Sequence, residues 1–217
     1  MTPHESAIAD VVAQRQITRV VHFTTNRGLV GITDTGAVLS REALDARQRL
    51  AQVGYPVWSD RSKDLAWIGH VNLSISVVND DLFKYSQRRH QAADIWWLVL
   101  AFDPIILTHP GVEFTTTNNT HHASVTRAPG AAGLEAMFAP RVPWGHYRAV
   151  KTRTSATPAW QTTCLQAEVL YPGSVSLEHL REIIVPEPQR VDDVAGIFAG
   201  LGVPVPAGVT CDPTVFK

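Results

Sequence analysis

A single carboxylate interrupts the apolar, strand-like run Gln166-Ala167-Glu168-Val169-Leu170-Tyr171, and near the other end of the chain stands Val20-Val21-His22-Phe23-Thr24-Thr25-Asn26. In a core-facing strand an ionised Glu168 costs several kcal/mol unless it is paired or faces a polar cleft. The cleft reading makes Glu168 a candidate catalytic group; a solvent-facing Glu on an edge strand is the alternative. His22 and Thr24, two apart on a strand, point to one face, where imidazole and hydroxyl can hold a ligand. A histidine satisfied by backbone fits the same spacing. Asn26 can serve as a helix N-cap or bring a helix N-terminus to a phosphate.

These groups need elements to hold them. Ile8, Val11 and Val12 share a helical face between Glu5 and Gln14, ahead of a strand at Ile17 to Phe23. Thr25 or Asn26 caps a helix from Arg27 to Thr35 that closes at Gly36, and a second helix is expected from Arg41 to Gln52. Trp67 to Ser76 alternates apolar and polar residues, so Asn72, Ser74 and Ser76 share a polar strand face. Ile95 to Phe102 is a continuous apolar run with two tryptophans, as a buried central strand requires. Val112 to Thr116, the Glu168 segment and Leu180 to Val185 read as further strands, and Val191 to Leu201 as a helix. Between Thr117 and Thr163 periodicity is weak and proline and glycine are frequent, which marks a long functional loop.

Composition sets the class. With 217 residues, 45% hydrophobic and 18% charged, the chain is expected to form one ordered domain over residues 1–217. No signal-like or membrane-length apolar segment is present and only Cys164 and Cys211 are cysteines, so a cytoplasmic protein with no disulfide framework and no metal site is expected. The net charge of −1 argues against a generic nucleic-acid binder. Its distribution argues otherwise: between Asn118 and Ala167 the bases are Arg127, Arg141, Arg148, Lys151 and Arg153 against the single acid Glu135. Arginine suits bidentate phosphate contact and stacking on bases, although a GC-rich genome produces the same bias.

Set together, His22-x-Thr24-x-Asn26 with Leu29, Ile32 and Gly36, then Val71 to Ser76, Phe114 to Asn119, and Ala167-Glu168-Val169-Leu170-Tyr171-Pro172 resemble the DarT family of DNA ADP-ribosyltransferase toxins. The resemblance runs from about residue 17 to about residue 186, and it rests on order and spacing because each motif alone is common. It implies an α+β ADP-ribosyltransferase fold: a split, strongly bent mixed β-sheet with NAD in the cleft and helices outside. It further implies transfer of ADP-ribose from NAD, as co-substrate, to a base in single-stranded DNA, and a macrodomain-type antitoxin as partner. One branch modifies thymidine and a more distant one guanosine. The thymidine branch carries an aromatic, Asn-Pro-Arg-containing stretch where Val71 to Ser76 stands here, so guanine is the expected base.

On this resemblance Glu168 stabilises the oxocarbenium ion formed as the nicotinamide bond breaks. Arg61 matches the position of an active-site arginine, with surface pairing to Asp60 or Asp64 as its alternative. His22, Thr24, Asn26, Gly36, Arg41 and Ser74 are the expected NAD contacts. Asn119, Arg127, Arg148 and Arg153 are the expected DNA contacts, with Trp144, Tyr147 or Trp160 available for stacking. The protein is expected to be a monomer. Two readings compete with this one: a transferase acting on RNA or a terminal phosphate, and a non-catalytic nucleic-acid-binding module.

Overall fold

The computed structural model describes residues 2–47, 65–121, 124–145 and 149–216. In chain order the elements are α1 (Pro3–Gln14), β1 (Val20–Thr25), α2 (Asn26–Thr35), β2 (Ala37–Leu39), α3 (Arg41–Ala46), β3 (His70–Ile75), α4 (Asp80–Arg89), β4 (Trp97–Phe102), β5 (Glu113–Thr115), β6 (Arg127–Pro129), α5 (Gly130–Ala136), β7 (Arg141–Pro143), β8 (Val150–Thr152), β9 (Glu168–Pro172), β10 (Ser174–Ser176), β11 (Leu180–Val185), α6 (Gln189–Gly200) and β12 (Gly208–Cys211). Eight strands form one mixed sheet in the order β12-β11-β4-β1-β3-β9-β5-β6, parallel only at β11–β12. The α+β class and the helix-flanked sheet expected from the sequence are therefore present. None of the described helices is long and apolar enough to cross a membrane.

The weak place in this sheet is its middle. β1 pairs with β4 over six residues, and β3 with β9 over four, but β1 and β3 share only Val20↔Ile75 and Val21↔Ser74. Beyond those two pairs the strands part, so the sheet consists of two half-sheets hinged at Val20 and Val21. One apolar core spans both halves, and a second covers the opposite face over β1, β4 and β11. The larger core packs Val20, Leu98, Leu100, Phe102, Leu73, Ile75 and Val169 against α1, α2, α5 and α6. A smaller cluster, built on Phe83 of α4, covers Val21, Val99, Ala101 and Ile184 on the opposite face. β4 is buried along its whole length, as its unbroken apolar run requires.

Local chemistry sets the helix ends. Thr2 and Glu5 form a reciprocal capping box at α1, and the Thr25 hydroxyl accepts from the Gly28 N–H at 3.1 Å to start α2. Gly36 ends α2 with φ 68°, the left-handed conformation that glycine adopts freely.

Two expectations need correction, and one element was not foreseen. The helix from Arg41 closes at Arg47 instead of running to Gln52, whose segment lies outside the described residues. Residues 117–163 hold β6, α5, β7 and β8, elements too short to show a period in sequence. The helix α4 was not expected, because Phe83 and Ser86 are its only buried residues and leave almost no apolar stripe.

Gly133 in α5 lies against β6 so closely that a Cβ would sit 2.0 Å from the Ala128 carbonyl oxygen, whereas a Cβ on Gly196 in α6 meets nothing within 4 Å. Backbone cannot retreat as a flexible side chain can. Gly133→Ala is expected to destabilise the protein by about 1–3 kcal/mol and Gly196→Ala to stabilise it by about 0.5–1 kcal/mol. Thermal melts of the two variants check this, and equal melting temperatures would refute it.

Candidate active site

Glu168, Thr115 and Arg127 stand in one row across three adjacent strands, since Thr115 pairs with Glu168 on one side and with Arg127 on the other. They lie on the face away from the larger core, because their neighbours Val169 and Phe114 belong to that core. Glu168 is 5% exposed. Both its oxygens are held: Oε1 accepts from the Asn72 amide at 3.1 Å and Oε2 from the Asn119 backbone N–H at 2.7 Å. Its own N–H donates to the Thr115 hydroxyl at 3.0 Å. These donors replace the water that burial removes, which a carboxylate needs more than any neutral group.

Asn72 also reaches the other half of the sheet. Its backbone oxygen accepts from Nδ1 of His22 at 3.1 Å, just where β1 and β3 part. A carbonyl can only accept, so Nδ1 carries a proton. Burial holds the His22 pKa below its ordinary value of 6.5, opposed by this hydrogen bond. The ring is therefore neutral at physiological pH, and in that tautomer Nε2 carries an acceptor lone pair. By alternation His22 and Thr24 face the α2 side of the sheet, while Glu168, Asn72 and Ser74 face the other. Asn72 bridges the two sides through the parting.

The remaining residues singled out from sequence fall into three groups. Near the bridge are Ser74, half-buried opposite Val21, and Thr24, whose hydroxyl abuts Gly28 at the start of α2. A second group is committed to the fold. Thr25 and not Asn26 is the cap of α2, and the Asn26 side chain donates to the Asp94 oxygen at 3.0 Å and accepts from the Trp96 N–H at 3.2 Å. Gly36 sits at the opposite end of α2, and Arg41 pairs with Asp45 at 3.4 Å in α3. Arg153 donates to the carbonyl oxygens of Pro158, Ala159 and Gln161 and lies 5.7 Å from the Phe138 ring. These bonds make Arg153 an anchor of the loop at residues 158–161. Arg61 and Arg148, with Tyr147, form the third group and lie outside the described residues.

Asn118 and Asn119 divide two jobs that sequence could not separate. The Asn118 side chain accepts from the Thr120 N–H at 2.9 Å and shapes the turn, while Asn119 is 1% exposed and points inward. Asn72, Thr115, Trp67 and His70 belong to the site as well. Alternation already put Asn72 on the polar face of its strand, but nothing local announced its bond to Glu168. Trp144 donates to Gln166 at 2.9 Å, under Lys151 at 4.2 Å, which places an aromatic and a cation two residues before Glu168.

The family model described as "ssDNA thymidine ADP-ribosyltransferase, DarT" matches residues 21–215. The chain belongs to the DarT family. Solved structures agree in fold. The DarT of Thermus sp. 2.9 in complex with NAD+ is 15% identical, with a TM-score of 0.63 over 93% of this chain and 98% of that one. The same protein with ADP-ribosylated single-stranded DNA gives 0.61 at 15% identity, over 93% of this chain and 97% of that one. The Thermosipho africanus DarTG in complex with ADP-ribose is 12% identical with a TM-score of 0.59, and 92% of this chain covers 51% of that longer one. No curated protein matches the chain in sequence.

The neutral His22 has a measurable signature. Its folded pKa is lowered, as are those of His90 and His109, each chiefly by burial. As pH falls through about 6.5 the unfolded chain takes up protons that the folded chain refuses, so stability falls with pH. His22→Gln is expected to make the change in unfolding free energy between about pH 7 and about pH 5.5 shallower than in the wild type. Urea unfolding at each pH measures it, and an unchanged slope would show that the ring titrates freely.

Proposed function

We propose that this protein transfers ADP-ribose from NAD to a base in single-stranded DNA and releases nicotinamide. One observation carries the reading: within a DarT-family fold, the buried Glu168 carboxylate is gripped by two N–H donors and linked through Asn72 to the neutral His22 at the parting of the sheet. The nicotinamide–ribose bond breaks with its electron pair going to nicotinamide, and positive charge develops on the ribose. Glu168, fixed in place before the reaction, stabilises that charge more than it does the ground state. His22 Nε2 accepts a hydrogen bond from a ribose hydroxyl, with Thr24 and Ser74 as further contacts to NAD. A nitrogen of the base then forms the new bond to the ribose carbon and gives up its proton to water. Arg61 completes the catalytic pair with Glu168.

For the nucleic acid, Asn119 and Arg148 remain proposed contacts, and Lys151 on Trp144 supplies charge and a stacking surface next to Gln166. Guanine is the base placed first, because Val71 to Ser76 lacks the Asn-Pro-Arg stretch of the thymidine-modifying branch; the family description names thymidine. A macrodomain-type antitoxin is the proposed partner, and residues 1–217 are proposed to act as one domain, since β1 and β12 from the two ends of the chain share one sheet.

Mass spectrometry of short single-stranded oligonucleotides after incubation with NAD tests the activity, with separate guanine, thymine and RNA arms. One added ADP-ribose on DNA is expected; a gain on RNA alone, or on no nucleic acid, refutes the proposal. Glu168→Gln is expected to lower single-turnover rates by on the order of a hundredfold while NAD binding persists, and His22→Ala to weaken NAD binding instead. Calorimetric titration with NAD beside the rate measurements separates the two. Loss of NAD affinity in proportion to rate in Glu168→Gln would make Glu168 a binding residue.

A further inference from the structure

Arg127 was expected among the DNA contacts, yet its guanidinium is turned inward. Nε donates to the side-chain oxygen of Asn119, and Nη2 donates to the backbone oxygen of the same residue at 2.5 Å. The guanidinium carbon also lies 5.5 Å from the centre of the Trp67 ring, which packs against His70 at 5.1 Å. A guanidinium has donors only, so the carboxamide oxygen must be the atom that faces it. The Asn119 Nδ2 group is thereby turned the other way, buried and without a hydrogen-bond partner among the described residues. The backbone N–H of the same residue donates to Glu168.

One asparagine therefore has its oxygens clamped, its N–H on the proposed catalytic carboxylate and its NH2 unspent. Buried polar groups usually have a partner, and an unpartnered NH2 beside a carboxylate of the proposed site marks a place for an acceptor from outside the protein, a water or a ligand atom. Strand order says which ligand. His22 on β1 lies on one side of Glu168, by way of β3, and Asn119 and Arg127 lie on the other side, by β5 and β6. If NAD approaches from the His22 side, the incoming base meets Asn119.

Resting on the proposed transferase activity, we propose that Arg127 is a positioning residue rather than a phosphate contact: it sets the polarity of the Asn119 carboxamide so that Nδ2–H donates to a carbonyl oxygen of the target base beside Glu168.

Arg127→Lys decides between the two roles. Lysine keeps the charge a phosphate needs but cannot donate to both Asn119 oxygens as a planar fork does. The test measures kcat, the KM for a single-stranded oligonucleotide and its salt dependence for the wild type, Arg127→Lys, Arg127→Ala, Asn119→Ala and the Arg127/Asn119 double alanine variant. Positioning predicts that kcat falls about tenfold or more in both Arg127 variants. The KM for DNA and its salt slope should stay within about twofold of the wild type, and the double variant should be no slower than Asn119→Ala, since Arg127 acts through Asn119. Should Arg127→Ala fail to fold by circular dichroism, the lysine variant carries the comparison. Full kcat in Arg127→Lys, or a raised KM with a flatter salt slope in Arg127→Ala, overturns the inference and leaves the transferase reading intact. A wild type that releases no nicotinamide with any oligonucleotide overturns both.

Discussion

The site depends on the bridge that Asn72 makes across the parting of the sheet. Two residue pairs alone join β1 to β3, and immediately past them the Asn72 carbonyl accepts a hydrogen bond from His22 Nδ1–H while its side chain holds Glu168. A continuous ladder would spend that carbonyl on a neighbouring strand. Because the strands separate, the carbonyl is free for an imidazole, and residues from opposite faces of the sheet come within one residue of each other. The parting stays in place because one larger core runs beneath both halves, from Leu98 and Leu100 of β4 to Leu73 of β3 and Val169 of β9.

A second constraint is the cost of keeping Glu168 dry. Two N–H groups meet it, the Asn72 side-chain amide from β3 and the Asn119 backbone N–H from the loop after β5, while the Thr115 hydroxyl of β5 accepts from the Glu168 backbone N–H and fixes the residue in place. That loop is anchored in turn by Asn118, which folds it locally, and by Arg127 on β6. The polar residues around the carboxylate thus form a connected network, and such networks hold their geometry because a missing member leaves a buried group unpaired.

The arginines show how the same side chain serves opposite ends. Arg153 and Arg127 fix backbone and carboxamide oxygens inside the protein, and the fork of donors that suits phosphate suits carbonyls equally. Charge clustering in sequence marks where such forks are concentrated. It does not say whether their acceptors belong to the protein or to a nucleic acid.

Much was legible in the chain itself, and the reason is local. The run Ile95 to Phe102 had to be a doubly buried strand, the alternation from His70 to Ile75 had to give one polar face, and Thr25 and Gly36 bracket α2 through capping chemistry that needs only neighbouring residues. An isolated carboxylate at Glu168 in an apolar strand was conspicuous for the same reason: desolvation is costly whatever the fold. What sequence could not decide was who meets whom across long separations. Glu168 finds Asn72 96 positions earlier and Asn119 49 positions earlier, and His22 finds Asn72 50 positions later. Those meetings depend on strand order and on where pairing stops, which no local pattern encodes. Only the tertiary structure could show which backbone groups Asn26 and Arg153 bond within the fold, and that Asn119 faces inward with its amide oxygen turned to Arg127.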